Sequence, residues 1–134
     1  SKVASGGELS RIMLAIKTVF ADVDQIESLI FDEIDVGISG RTAQMVSEKM
    51  SILGKNHQII CITHLPQIAA MADTHFVIEK ISSAKETETR IRRLSDEQST
   101  EELARMLGGV EITQAVLANA KEMKQLAKNQ KQYS

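Results

Sequence analysis

Residues 28–64 read SLIFDEIDVGISGRTAQMVSEKMSILGKNHQIICITH, and this stretch decides the fold. Two short apolar runs, Ser28 to Phe31 and Gln58 to Thr63, have the length of buried strands. The segment between them has one apolar helical face, made of Ala43, Val46, Met50 and Leu53. Gly54 then ends the predicted helix. A strand, a helix and a strand in this order form a βαβ unit, so we expect the two strands to be parallel neighbours in one sheet.

Helices are predicted on both sides of this unit. Apolar residues recur every three or four positions from Leu9 to Val23, which indicates an amphipathic helix. After the unit, Pro66 suits the first turn of a short helix over Gln67 to Ala72. Near the carboxyl end, Ser99 and Glu102 have capping-box spacing and predict a helix that Gly108 and Gly109 end. A last helix is expected from about Ile112 to Ala127.

Two further strands complete the prediction. Apolar and polar residues alternate along His75 to Ile81 and along Thr87 to Leu94. We therefore expect two strands that pair across the polar turn of residues 82–86. The order of elements indicates an α/β fold, and we expect residues 1–134 to form a single domain.

Composition narrows the class of protein. The chain has 134 residues, 43% of them apolar, and a net charge of −2. It has one cysteine and therefore no internal disulfide, and no apolar run is long enough to span a membrane. Three Phe, one Tyr and no Trp leave little material for stacking on exposed bases. The start at Ser1, without Met or a signal peptide, leads us to expect a cut inside a longer protein.

Polar residues gather at three places where chemistry could occur. Ser5, Gly6, Gly7 and Glu8 stand at a helix entry that could hold a phosphate, although an ordinary capped helix start explains them equally well. Asp32 and Glu33 follow the first strand, where one carboxylate could hold a metal and the other face a water, or both could simply be loop solubilisers. His64 follows the second strand, so it would lie at the same sheet edge as the acidic pair. A histidine alone is more often structural.

The sequence gives less support for a phosphate loop, a zinc site or phosphate binding by the carboxyl-terminal lysines. No G-x-x-x-x-G-K-[ST] phosphate loop is present, since Gly54-Lys55 is followed by Asn56. The spacing of Asp32, Glu33, His64 and His75 matches no zinc motif, and a metal hydrolase built on them would be active as the chain alone. A further cluster of four lysines favours a solvated helix face over phosphate binding: Lys121, Lys124, Lys128 and Lys131.

Taken in order, these clusters resemble the motifs of ABC-type ATPases: the signature motif (5–8), the Walker B strand (29–33), the D-loop (35–39) and the H-loop (63–64). The finer wording VASGGELSR (3–11), FDEIDVGISG (31–40) and THLPQIA (63–69) is similar to the RecN family of bacterial DNA repair proteins, which are related to SMC proteins. The resemblance runs to at least Lys80, and the two closing helices are similar to the RecN carboxyl end. Ser39 replaces the usual D-loop Asp, as it does in RecN.

The resemblance implies a fold and a set of roles. The fold would be the carboxyl-terminal lobe of an ABC-type ATPase head, a mainly parallel sheet flanked by helices. Two heads would sandwich ATP, with Ser5, Gly6, Gly7 and Glu8 of one head capping the γ-phosphate that the other holds. Each remaining residue would have a separate role: Asp32 would hold Mg²⁺, Glu33 would act as general base, His64 would contact the γ-phosphate, and Asp35 and Ser39 would cross to the second head.

The same resemblance implies partners and a location. The partners would be an amino-terminal Walker A lobe of the same protein, a second head in a homodimer, and DNA bound by the full-length protein. No membrane would be involved, and the protein would lie in the bacterial cytoplasm at the nucleoid. Without a Walker A loop this chain alone would not hydrolyse ATP. The alternatives are the head of another SMC or ABC-type ATPase, or a non-catalytic α/β binding module.

Overall fold

The computed structural model describes residues 6–19 and 27–133. Within these two ranges the structure has nine elements: α1 (Gly6–Val19), β1 (Ser28–Phe31), α2 (Gly40–Leu53), β2 (Gln58–Cys61), α3 (Pro66–Ala69), β3 (Phe76–Ser82), β4 (Thr87–Arg93), α4 (Asp96–Gly108) and α5 (Gln114–Tyr133). The predicted α/β class is therefore confirmed. The single-domain assignment remains a prediction.

The βαβ unit forms as predicted. Strands β1 and β2 pair in parallel, with Leu29 opposite Ile59 and Phe31 opposite Cys61. These four side chains face a core that also includes Leu14, Ile34, Val46, Met50, Leu53 and Ile68. The helical face predicted for α2 is buried at all four positions. The core therefore lies between the parallel pair and α2.

The outer face of the parallel pair is apolar but uncovered in the described structure. Ile30 and Ile60 lie opposite each other in the register and are 70% and 46% exposed. Helix α1 shows the same feature, because its predicted apolar stripe points outward while Gly7 and Leu14 are buried. The predicted helix is therefore present, and its Gly7 face packs against the chain that follows β1. Residues 20–26, where the predicted helix would end, lie outside the described residues.

The sheet differs from the expectation of one mainly parallel sheet. In the described residues, β1 and β2 form one two-stranded sheet and β3 and β4 form another. Strands β3 and β4 are antiparallel, with Ile78 opposite Ile91. The connection of residues 83–86 is too short for a parallel crossover, so this pair has to be antiparallel. Of the two strand pairs in the described residues, one is parallel and one is antiparallel, so a mainly parallel sheet is not confirmed.

The carboxyl-terminal helices pack through a second apolar cluster. Leu103, Ala104 and Ala120 are fully buried there, and Ala69 and Ala127 lie against them. The structure corrects the predicted start of α4 and the predicted end of α5. Ser95 and Gln98, not Ser99 and Glu102, form the capping box of α4, and α5 continues past Ala127 to Tyr133.

Candidate functional site at the end of the parallel strands

The parallel register brings two predicted clusters to one sheet edge. Phe31 is opposite Cys61, and the Ile62 amide donates to the Phe31 carbonyl at 3.0 Å. The pairing therefore continues to the point where Asp32 and Glu33 leave β1 and Thr63 and His64 leave β2. The expectation that these polar residues share one edge is confirmed.

Asp35 ties the ends of the two strands together. Its Oδ2 accepts hydrogen bonds from Thr63 Oγ1 at 2.5 Å and from the His64 amide at 2.8 Å. His64 Nδ1 lies 2.9 Å from the same oxygen. Burial alone would raise the pKa of Asp35, but the Thr63 hydroxyl, the His64 amide and the His64 ring together hold it below its ordinary value. The carboxylate is therefore kept charged at the centre of the site.

His64 is oriented by this contact but remains accessible. Its side chain is 73% exposed, whereas that of Asp35 is 4% exposed. Nδ1 lies within hydrogen-bond distance of Asp35, so Nε2 is the ring nitrogen that remains for a ligand. This division between one anchored and one available nitrogen is typical of functional histidines.

The two acidic residues after β1 both reach the surface. Asp32 Oδ1 accepts a hydrogen bond from the Glu33 amide at 2.9 Å, and Glu33 has φ of 60° in the left-handed region. A residue other than glycine costs about 1–3 kcal/mol in such a conformation. The turn continues with the Val36 amide donating to the Glu33 carbonyl at 3.1 Å. This sharp turn buries Ile34 and Asp35 while leaving both preceding carboxylates exposed.

The glycine pair of α1 lies against this turn. A Cβ on Gly6 would meet the Glu33 carboxylate, and one on Gly7 would lie 2.8 Å from the Glu33 carbonyl oxygen. Only glycine permits the second approach without moving backbone. Glu8, in the first turn of α1, is exposed and has a favourable charge for a helix start. Ser5 lies outside the described residues, so the structure does not position its hydroxyl.

The structure also reveals contacts that the sequence did not predict. Arg11 Nη1 donates to the carbonyls of Ile34 at 3.1 Å and of Val36 at 2.7 Å. Ser10 Oγ donates to the Asp32 carbonyl at 2.9 Å. Arg11 stands four residues after Gly7, on the same helix face, and this spacing was the available signal. Helix α1 therefore holds the backbone on both sides of Glu33.

Ser39, the D-loop candidate, occupies a different position from Asp35. It is the exposed N-cap residue of α2, and its side chain makes no capping hydrogen bond. Its hydroxyl is therefore available to another molecule. The Asp35 carboxylate is instead engaged with Thr63 and His64 of the same chain.

Cys61 is the last residue of β2, next to the candidate site. Burial, followed by the negative charges of Asp35 and Asp32, raises the pKa of the Cys61 thiol to about 12, so this cysteine is a poor nucleophile.

Within residues 6–19 and 27–133, no group of three or more His, Cys, Asp or Glu side chains is arranged to hold a metal. A single exposed carboxylate such as Asp32 still fits Mg²⁺ where phosphate oxygens supply further ligands. In the same ranges no helix has the length and apolar character needed to cross a membrane.

Comparison with known proteins finds a strong similarity to RecN proteins. Curated proteins named DNA repair protein RecN align with nearly the whole chain. The protein from Halalkalibacterium halodurans is 51% identical over 127 residues, which are 95% of this chain and 22% of that protein. The protein from Bacillus subtilis is 51% identical over 123 residues, or 92% of this chain and 21% of that protein. This chain is a relative of the RecN proteins.

The match has a defined extent. The RecN protein of Treponema pallidum is 50% identical over 123 residues, which are 92% of this chain and 22% of that protein. The chain spans about a fifth of the length of these RecN relatives, and it corresponds to their carboxyl-terminal part. No family model matches the chain. The family resemblance that rested on residues 3–11, 31–40 and 63–69 is confirmed.

Proposed function

We propose that this chain is the carboxyl-terminal lobe of an ATPase head in an SMC-like RecN protein that repairs DNA double-strand breaks by recombination. It supplies the signature motif, the Walker B carboxylates, the D-loop and the H-loop. The ATPase activity belongs to the protein that also contains a Walker A lobe. Such a repair protein works in the bacterial cytoplasm, at the nucleoid.

One observation carries this proposal. The parallel pairing of β1 and β2 brings the Asp32-Glu33 pair and His64 to the same sheet edge, with Asp35 bonded across the gap. Ligands of open α/β sheets bind at the carboxyl ends of the strands. Roughly 50% identity to proteins named for DNA repair supports the assignment to that process.

The proposed roles at this edge follow from exposure and reach. Asp32 would hold Mg²⁺, which when bound neutralises charge on the phosphates. Glu33, exposed and without a carboxylate hydrogen bond to the sheet, would polarise the attacking water as general base. His64 would contact the γ-phosphate through Nε2. With Nδ1 donating to Asp35, Nε2 donates a hydrogen bond to phosphate only when the ring carries both protons.

The signature and D-loop residues would act on a second head. Gly6 and Gly7 let backbone approach a γ-phosphate held by that head, with Ser5 donating its hydroxyl and Glu8 orienting the turn. Ser39 has an unused, exposed hydroxyl and is the better candidate to cross between heads. Asp35 is buried and bonded within its own chain, so we assign it the orientation of His64.

A chimera tests the proposal. This chain would replace the matching 123-residue segment of B. subtilis RecN, and binding of a fluorescent ATP analogue and phosphate release would both be measured. Glu33→Gln should retain ATP binding and lower turnover by about 10²–10⁴-fold. Glu86→Gln, a matched change in the exposed turn between β3 and β4, should alter neither.

The alternatives give different results in the same assay. A non-catalytic module predicts no turnover by the chimera. Equal loss of binding and turnover in Glu33→Gln would contradict the role of general base. ATP hydrolysis by the 134-residue chain alone would contradict the dependence on a Walker A lobe.

A further inference from the structure

A second polar groove lies apart from the β1 and β2 edge. Its volume is about 600 Å³, and it lies between the connection that follows α3, the end of β4 and the last turns of α5. Six charged side chains line it: Asp73, Arg93, Asp96, Lys124, Lys128 and Lys131. Four permanent cations thus face two carboxylates, which gives the groove a positive character in a chain whose net charge is −2.

Internal contacts neutralise only part of this charge. Lys131 Nζ contacts Asp73 Oδ1 at 2.7 Å. Lys124 Nζ donates to the Asp96 carbonyl at 3.0 Å and lies 3.6 Å from its carboxylate. These contacts use both acids of the groove. In the part of the chain that the structure describes, neither the Arg93 nor the Lys128 side chain has a hydrogen bond or ion pair, so two cations remain for a ligand.

His75 also lines the groove, but it adds no fixed charge. Its Nδ1 lies 2.8 Å from the hydroxyl of Ser99, which is buried. Burial lowers the pKa of His75, Glu102 opposes that change and Lys124 adds to it. The ring is therefore neutral near pH 7. Because the ring lies in the groove, its NMR signals can report the binding of a ligand there.

The lining selects phosphate over other ligands. A guanidinium and an ammonium that line one groove without a carboxylate partner of their own suit phosphate oxygens. Among the described residues that line the groove there is no Phe, Tyr or Trp, the side chains with the largest stacking surface for a base. Lys124, Lys128 and Lys131 extend over about 10 Å of α5 at a rise of about 1.5 Å per residue. Measured along the duplex axis, that length corresponds to about three phosphates of one DNA strand, at a rise of about 3.4 Å each.

We propose that the groove between Arg93 and Lys128 binds a phosphate group, and that the backbone of double-stranded DNA supplies it. The contact is to phosphate and not to base edges, so binding is independent of DNA sequence. The groove is separate from the proposed ATPase residues, and its test does not depend on ATP.

The experiment uses the 134-residue chain and a 20-base-pair duplex. Binding is measured by fluorescence anisotropy at several salt concentrations. Arg93→Gln and Lys128→Gln should each weaken binding up to about fivefold at low salt. Each should also lower the slope of log affinity against log salt by about one. Lys121→Gln removes the same charge from α5 outside this groove, and it should leave the slope nearly unchanged.

A second arm separates the sources of phosphate. Inorganic phosphate at constant ionic strength should shift the NMR signals of the His75 ring, and Lys128→Gln should abolish that shift. A shift with inorganic phosphate but no binding of the duplex would keep the phosphate site and overturn DNA as its source. Equal effects of Lys121→Gln and Lys128→Gln, or no response of His75 to either ligand, would overturn the site.

Discussion

Substitution of the two adjacent glycines at the start of α1 should affect stability differently. A Cβ on Gly7 would lie 2.8 Å from the Glu33 carbonyl oxygen, 3.0 Å from Val36 Cβ and 3.1 Å from Arg11 Nη1. The first two of these atoms belong to a packed turn and cannot move independently. A Cβ on Gly6 meets only the carboxylate end of Glu33, which can rotate away. We therefore expect Gly7→Ala to be destabilising and Gly6→Ala to be tolerated.

The magnitude follows from comparing the two variants. Both replacements gain helix propensity of up to about 1 kcal/mol, so this gain largely cancels between them. The remaining difference is the cost of overpacking at Gly7, about 1–3 kcal/mol. With a urea m-value of about 2 kcal/mol/M, the unfolding midpoint of Gly7→Ala should lie about 0.5–1.5 M below that of Gly6→Ala.

Urea unfolding followed by circular dichroism measures this difference. The m-values should agree between the variants, so that the midpoints can be compared directly. A second measurement locates the damage, since backbone NMR signals of the turn at Ile34 and Val36 should shift in Gly7→Ala far more than in Gly6→Ala. Equal midpoints, or a less stable Gly6→Ala, would refute the packing of α1 against this turn.

Two further predictions concern the buried groups of the site. The pKa of Asp35 lies below its ordinary value of 3.8, so the charged group stabilises the fold above that pH, and this stability is lost as pH falls through the lowered pKa. Asp35→Asn should therefore flatten the dependence of unfolding free energy on pH between about 2 and 5, and a slope unchanged from the parent would contradict the assignment. Cys61, with its pKa raised to about 12, should react slowly with iodoacetamide at pH 8 and much faster in urea. It is the one cysteine of the sequence, so total labelling reports it directly, and equal rates in both conditions would contradict its burial.

The fold could be predicted where the signal is local. The βαβ unit follows from two short apolar runs and one helical face, and the core of Val46, Met50 and Leu53 forms on that face. The hairpin of β3 and β4 follows from alternation and a short turn. In these segments, neighbouring residues determine the type of element, and in α2 they also determine the side that is buried.

The capping box of α4 shows where local patterns become ambiguous. Both Ser95-x-x-Gln98 and Ser99-x-x-Glu102 have the required spacing. Ser95 caps the helix, whereas the buried Ser99 hydroxyl contacts His75, 24 residues earlier in the sequence. A tertiary contact decided between two equivalent local patterns, and no local pattern encodes it. The end of α5 is similar, since Lys131 near the helix end contacts Asp73.

The candidate site could be predicted as a set of residues but not as a network. Parallel pairing was enough to bring Glu33 and His64 to one edge. The role of Arg11 was not predicted, because its acceptors are backbone carbonyls 23 and 25 residues away. Backbone carbonyls occur at every residue and leave no mark in the sequence. The contacts of Asp35 were missed for a related reason, since family resemblance assigned that carboxylate to a second head.

The network explains how the edge can stay ordered while its reactive groups stay exposed. Asp35 fixes the end of β2 through Thr63 and His64, and Arg11 fixes the chain after β1 through two carbonyls. Within the described residues, these contacts leave the Asp32 and Glu33 carboxylates without hydrogen bonds from other elements. Under the proposed function, a Walker A lobe would meet preoriented groups without first breaking contacts, which lowers the cost of assembling the site.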